Sequence, residues 1–271
     1  MAAHCAPADT AVVRVSGEDA AAFLQGQCTA DLRAVSLVDA LWLNRKGRVL
    51  AHTVVSKEAD GTFLLLAPRL TAAALIAVVT ANVIADDVIA TDESTGWRRW
   101  VAWGEIPTAG AARVFATQRF GVPAWDVLTP AGAAAPATLA ALAELEALRI
   151  QSGVPSVPDD CGANEFPQEC GLEPWVSYTK GCYLGQEVMA RIQSMGSLRR
   201  ILRRVASVDG ASLAAGSELS VEGKVVGKVR SAAGPYGLAL VGLDLPVGTV
   251  CATVSGGVVL GAPAALPLAK A

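Results

Sequence analysis

After about Ser194 the chain loses every helical period: short runs of Val, Leu and Ile alternate with Gly or Asp-Gly turns through to the last residue. Such texture belongs to short strands joined by tight turns, so 197–271 reads as a small all-β module, a barrel. The remainder has to build a body of its own. Its order of elements, β-α-β-β-β-α-β, lacks the strict strand–helix alternation of a doubly wound sheet. It favours an α+β fold with an antiparallel or mixed sheet and helices on one face. The chain therefore divides into a body, 1–196, with room for two subdomains parted near 95–130, and the barrel, 197–271.

Within the body, Thr10 to Val15 alternates like a strand, and Ser16 is placed to cap a helix over Asp19 to Leu24. Val38 to Leu43 and Val49 to Val55 form a hairpin through Asn44-Arg-Lys-Gly-Arg48, where Gly47 supplies the positive φ of a tight connection. Thr62 to Leu66 is a further strand and Arg69 to Ala81 a helix. Val83 to Ile89 reads as a strand, followed by strands at Trp97 to Trp103 and Ala124 to Leu128 around a helix at Ala111 to Phe120. Leu139, Leu142, Leu145 and Leu148 mark an amphipathic helix ending near Gly153-Val-Pro155. The Pro-rich loop of about 154–180 that follows is long enough to suggest a functional segment.

Apolar residues make up 52% of the 271 and charged residues 17%, the reverse of a disordered chain. The longest uncharged run, Leu70 to Ala85, is broken by Thr71, Thr80 and Asn82 and falls short of the roughly 20 apolar residues that cross a membrane. The N-terminal residues carry no basic and apolar signal regions, so a cytoplasmic protein without membrane contact is expected. Six cysteines without a CxxC pair argue against a disulfide framework or a zinc site, and no metal ligand set is assigned. With only His4 and His52 available, most Ser-His-Asp readings lose their base.

Three stretches carry chemistry. In Tyr178-Thr-Lys-Gly-Cys-Tyr-Leu-Gly-Gln-Glu-Val-Met-Ala-Arg191, Lys180 and a helix starting just after Cys182 would both favour a thiolate at Cys182. A cysteine buried at a glycine-flanked turn is the alternative, and Glu187 with Arg191 is an ordinary helical ion pair. In Asn164-Glu-Phe-Pro-Gln-Glu-Cys170, Glu169 sits on a braced loop and can accept paired N–H donors, or simply face water. A cluster on Cys161, Cys170 and Cys182 is a further alternative. Finally, Lys180, Arg191, Arg199, Arg200, Arg203 and Arg204 oppose only Glu187 between 180 and 204, in a chain of net charge −3. That local excess suits an anion, RNA phosphate or the carboxylate tail of a small molecule, or else one strand with solvated arginines.

These residues resemble the YgfZ-type folate-binding proteins, relatives of the aminomethyltransferase T-protein of the glycine cleavage system. Lys180-Gly-Cys-Tyr-Leu-Gly-Gln-Glu187 with Ala190-Arg191 is similar to that family's signature nearly residue for residue. Phe23 to Asp31, Glu146 to Pro155 and Pro167-Gln-Glu169 resemble three further blocks in the same order. The resemblance implies a T-protein-like α+β body around a folate cavity, followed by a C-terminal β-barrel. It also implies a protein that binds tetrahydrofolate or a one-carbon derivative and supports iron–sulfur cluster assembly or repair, with iron–sulfur enzymes or assembly proteins as partners and tRNA modification downstream. By resemblance Glu169 grips the pterin ring and Cys182 is the functional thiol. Apart from the resemblance, the local charge suits Arg191 and the 199–204 arginines to the glutamyl tail, which adds Lys180, Arg191 and Arg200 to Glu169 as expected cofactor-binding residues.

One departure bears on catalysis. Where aminomethyltransferases continue from the block resembling Leu43 to Leu50 into an acidic pair with the catalytic aspartate, this chain has Ala51-His52. The glycine-cleavage reaction is therefore not expected, and His52, with no orienting partner evident, reads as structural or as a partial substitute. A folate-dependent one-carbon transferase and a tRNA-binding scaffold built on the arginines are the alternatives.

Overall fold

The computed structural model describes residues 3–33, 36–107, 113–196 and 198–267. A first antiparallel sheet runs Leu37–Leu43, Val49–Lys57, Phe63–Pro68, Thr10–Ser16, Ile89–Asp92. Alternation along its strands sends two apolar sets to opposite faces. Val13, Val15, Phe63 and Leu65 pack beneath helices α1 (Ala20–Gln27) and α2 (Ala72–Thr80), while Val12, Val54, Leu64 and Leu66 meet Phe115 and Leu128 of a second sheet. That sheet runs Thr138–Leu139, His4–Pro7, Trp97–Trp103, Ala124–Pro130, Arg113–Thr117. Helix α3 (Leu142–Ser152) lays Leu145 on its Val101, Trp103 and Ala124. The long loop then leads to α4 (Gln186–Met195) and into a closed six-stranded barrel spanning Arg200 to Pro263. The body is thus α+β, two five-stranded sheets with their helices, followed by the small barrel that the C-terminal texture predicts.

Several local expectations change. Ser16 does not cap α1: Asp19 is the N-cap residue and makes no side-chain cap bond, its carboxylate instead accepting from Asp87 N at 2.8 Å. Gly17, at φ 118°, is required there because a Cβ would stand 2.0 Å from the Asp87 carbonyl oxygen. These ties hold 86–88 as a turn, so the strand expected over Val83 to Ile89 begins only at Ile89. The helix expected at Ala111 to Phe120, of which 111 and 112 lie outside the described residues, is instead the edge strand Arg113–Thr117. Its β-branched and aromatic side chains pair in register with Ala124 to Leu128. The Asn44–Arg48 hairpin forms as read, Gly47 lying at φ 72° and Asn44 Oδ1 accepting from Lys46 and Arg48 N–H groups. Among the described residues no helix is long and apolar enough to cross a membrane.

Candidate functional site

The two sheets share the cluster of Val12, Val54, Leu64 and Leu66 with Phe115 and Leu128, and beside it α3 packs on the second sheet. A trough of about 800 Å³, including its open mouth, is lined by Thr10, Arg69, Val101, Phe120, Asp126, Leu142 and Glu146 among others. Its wall residues Arg69, Arg119, Phe120 and Glu146 continue into a narrow inner cavity that ends on His52 and Trp175.

His52 reaches this cavity because it shares a strand face with Val54, pointing away from the helices. Asp39 lies diagonally across on the neighbouring strand, where Leu41 pairs with His52 and Asp39 with Val54. His52 is 4% exposed, with Nε2 2.7 Å from Asp39 Oδ1 and its ring stacked on Trp175 at 4.1 Å and 11°. The sequence expectation of an unoriented histidine is corrected: a carboxylate and an indole fix the ring. The contact with the Asp39 carboxylate fixes which edge of the imidazole faces that strand. Trp175 is anchored in turn by its carbonyl, which accepts from Thr29 Oγ1 at 2.6 Å.

The trough's charges come in pairs. Arg69 holds Glu146 and Asp159 from a left-handed backbone (φ 62°), a conformation that is uncommon for a non-glycine residue and is stabilised here by its N–H donating to Asp9 O at 2.8 Å. Arg149, buried on α3, donates to Glu146 (2.9 Å), Asp160 (2.7 Å), the Val154 carbonyl (2.7 Å) and barrel Ser231 (3.1 Å). Burial alone would lower the Arg149 pKa, but Asp160 and Glu146 outweigh it. Burial likewise pushes the Glu146 carboxyl up, and Arg149 and Arg69 more than reverse this, holding it below the usual glutamate value. Arg119 pairs with one oxygen of Asp126. Asp126 is 3% exposed and its Oδ2 has no hydrogen-bond partner among the described residues. An unsatisfied buried acceptor costs about 1–3 kcal/mol.

Of the residues expected from sequence, only Glu169 and Arg200 are brought together, away from Lys180, Cys182 and Arg191. Glu169 is buried on a short 3-10 turn, Pro167–Cys170, outside the trough and cavity linings. Its carboxylate accepts from Arg200 Nε at 3.0 Å and Nη2 at 3.1 Å, from Arg48 at 3.3 Å and from Phe166 N–H at 2.9 Å, with Arg48 lying 3.5 Å over the Phe166 ring. Glu169 and Arg200 therefore form a clamp joining the hairpin turn, the long loop and the first barrel strand. Burial lowers the Arg200 pKa, but the Glu169 bond outweighs it.

Lys180 is also redirected. Its Nζ, 4% exposed as a residue, donates to the carbonyls of Cys28 (2.8 Å) and Ala30 and stands 4.0 Å from Cys28 Sγ, so its charge serves the Cys28 pocket and not Cys182. Burial pushes its pKa down. Arg191 is exposed and paired with Glu187 at 2.9 Å. Cys182 is exposed in a shallow depression beside Gly26, Arg45 and Glu187, and α4 starts only at Gln186. Gly185, at φ 83°, intervenes; a Cβ on it would stand 2.8 Å from Asn44 O and 3.2 Å from Gly47 Cα. The signature's second glycine thus lets the loop seat on the hairpin turn. Cys161 and Cys170 are buried in the core, apart from exposed Cys182. Among the described residues no three His, Cys, Asp or Glu side chains converge as metal ligands. The arginine run is likewise taken apart, with Arg200 on Glu169, Arg203 buried against the Gly261 carbonyl and Arg204 lying along Gly153.

Asp39, Asp126, Arg119 and Trp175 did not stand out from sequence. Asp39 and Asp126 left a trace, each being the lone charged residue of its strand, Leu37–Leu43 and Ala124–Pro130.

Comparison with known proteins fits this geometry. Residues 190–263 match the family model of the CAF17 C-terminal beta-barrel domain. The chain is 27% identical to the tRNA-modifying protein YgfZ of Edwardsiella ictaluri, over 88% of this chain and 84% of that one. It is 30% identical to the mitochondrial iron-sulfur cluster assembly factor IBA57 homolog of Mycosarcoma maydis, over 70% of this chain and 53% of that one. The glycine cleavage system aminomethyltransferase T from Bartonella henselae superposes with a TM-score of 0.82 at 15% identity, over 96% of this chain and 85% of that one, a likeness of fold.

Proposed function

The chain is a YgfZ-type relative of the glycine cleavage T-protein, and from that premise we propose that it binds tetrahydrofolate or a one-carbon derivative in the trough and supports iron–sulfur cluster assembly or repair. Through iron–sulfur enzymes it would then act on tRNA modification, with Cys182 as its working thiol. The observation that carries the folate part is the trough itself. Its size lies in the range of small-molecule sites, and its walls mix Val101, Phe120 and Leu142 with a few fixed polar groups. Its arginines are already matched with carboxylates, so the glutamyl tail leaves through the mouth toward solvent. Arg191 and Arg200 do not line the trough, and Glu169 and Lys180 support its surroundings from outside. Iron–sulfur clusters enter as cargo of partner proteins.

The test is calorimetric titration of the purified protein with tetrahydrofolate, beside a deletion strain complemented with wild type or Cys182→Ser. Saturable one-to-one binding is expected, as is restoration of iron–sulfur enzyme activity and tRNA modification by wild type and not by Cys182→Ser. Absence of binding removes the folate part; full restoration by Cys182→Ser removes the thiol's role.

A second reading, a folate-dependent one-carbon transferase, is favoured by one observation. The His52–Asp39 pair puts an oriented acid–base group at the inner end of the same cleft. Turnover of an aminomethyl or formaldehyde donor with tetrahydrofolate, abolished by His52→Gln, would support it.

A further inference from the structure

Cations from three elements far apart in sequence are joined on a surface that does not line the trough. At the tip of the Asn44–Arg48 hairpin, Arg45 and Lys46 are exposed and have no side-chain partner among the described residues. Arg48, at the end of the same turn, meets Arg200 on Glu169 and on the Asn164 carbonyl. Arg200 in turn shares a groove of about 670 Å³, including its open mouth, with Lys228 and Arg230 of the barrel. Lys228 is exposed and likewise unpartnered.

The arginines among them are held in place yet keep donors free. Glu165 and Glu169 are buried, whereas Arg48, Arg200 and Arg230 remain partly exposed. Glu169 takes Nη1 of Arg48 with Nε and Nη2 of Arg200, and Glu165 takes Nη2 of Arg230. Nη2 of Arg48 and Nη1 of Arg200 and of Arg230 are left without a hydrogen bond, and none of the three is a buried atom. They therefore face water in orientations that the acids beneath them fix. A guanidinium fork so held is prepared for the oxygens of a phosphate.

We propose that this surface binds an RNA phosphate backbone, laid from the hairpin tip across Arg48 and Arg200 into the barrel groove. Six cations there oppose three carboxylates, Glu165 and Glu169 underneath and Glu218 across the strand pair from Lys228, in a chain of net charge −3. Cations spread along such a line suit a ligand with repeated phosphates. No aromatic side chain lines the groove to stack an unpaired base, so folded RNA is met by its backbone and shape, without base readout. Of the basic run that is dense in sequence only Arg200 takes part; folding assembles the rest. Arg45 also borders the depression that holds Cys182, so RNA on this surface reaches the thiol. The inference goes beyond the proposed function, in which tRNA is reached through partner enzymes, and does not depend on the trough holding folate.

Fluorescence anisotropy of the full chain with a labelled, unmodified tRNA transcript is the test. Wild type is expected to bind, its affinity falling at least about tenfold between about 50 and 200 mM salt. Lys46→Glu with Lys228→Glu spares the buried acids and their arginines; it should weaken binding at least about tenfold and flatten the salt slope by about two. Lys57→Glu with Arg204→Glu makes the same change of charge at exposed positions off this surface, at the far end of the hairpin's second strand and along α3's end. That pair should cost less than about threefold. Equal losses in the two double variants, or a larger loss in the second, would overturn the surface. So would absence of binding by wild type, a measurement that needs no variant. A polyglutamate peptide that binds wild type as tightly as the transcript would replace RNA by an acidic protein as the partner, and so overturn the proposal as well.

Discussion

The trough and the Cys182 segment are built on opposite plans. The trough draws its walls from strands, a helix and a loop scattered between Ala8 and Trp175, and ties them with ion pairs that cross between those segments, Arg69 to Glu146 and Arg149 to Asp160. The Cys182 segment is contiguous, seats on the hairpin by the close approach of Gly47 and Gly185, and presents an exposed thiol. A rigid charged frame suits recognition of a small molecule, since groups fixed before binding lose little freedom on binding. An exposed thiol on a shallow surface suits contact with another macromolecule. On the proposed reading the chain separates the site that binds from the thiol that reacts, and the two should respond independently to mutation.

The largest expected effect lies in the trough's frame. Arg149→Met removes the partner of buried Asp160 and of Glu146, along with the bonds to the Val154 carbonyl and to Ser231 that tie α3 to the loop and the barrel. Breaking a buried pair by deleting one partner costs about 3–5 kcal/mol. Thermal unfolding should therefore show a melting temperature lowered by roughly 10 °C, on the usual scaling for chains somewhat shorter than this one. A change within a degree or two would mean that apolar packing, and not the ion network, holds the wall.

A smaller effect distinguishes the same frame by pH. Because Glu146 has a folded pKa below its unfolded value, its contribution to stability is complete above the ordinary glutamate range and is lost as pH falls through the folded pKa. Glu146→Gln should accordingly be less stable than wild type near pH 7, and the gap should close as the pH drops below about 4.3, the ordinary glutamate value. Melting temperatures of both proteins between pH 3 and 7 check this. A gap that widens toward acid would reverse the sign assigned to Glu146.

The same contrast explains what sequence could reveal. The Cys182 segment was legible because its chemistry is local: a lysine, a cysteine and two glycines within a few residues. Its geometry was not, because Lys180 finds its partners at Cys28 and Ala30, about 150 positions away in the chain. The run of arginines misled for the same reason. Alternation on Arg200–Ser207 sends Arg200 to Glu169, Arg203 inward and Arg204 along α3's end, so charge that is dense in sequence is dispersed in space. The barrel and the α+β body were readable from period and turn residues. Arg113–Thr117 was not, since its strand character comes from the neighbour it pairs with. His52 stands out in the sequence as one of two histidines, yet its orientation depends on Asp39 across a strand pair, which linear order does not display.

The smallest effect is expected at Cys182, and it is the sharpest test of separation. The other five cysteines are buried, so a maleimide should label the native chain once and Cys182→Ser not at all. Removing an exposed side chain with no structural bond should change stability by no more than about 0.5 kcal/mol. The informative step is to measure labelling rate with and without pterin bound in the trough. If the two regions are independent, the rate is unchanged, because neither the trough nor the inner cavity shares a lining residue with the Cys182 depression. A severalfold change would show that ligand and thiol are coupled. Trp175 is where such coupling would enter, since its ring stacks on His52 in the cavity while its carbonyl is held by Thr29, next in sequence to the cysteine whose pocket encloses Lys180. In that case Thr29→Val, which removes the bond to Trp175, should return the rate with ligand to the value without it.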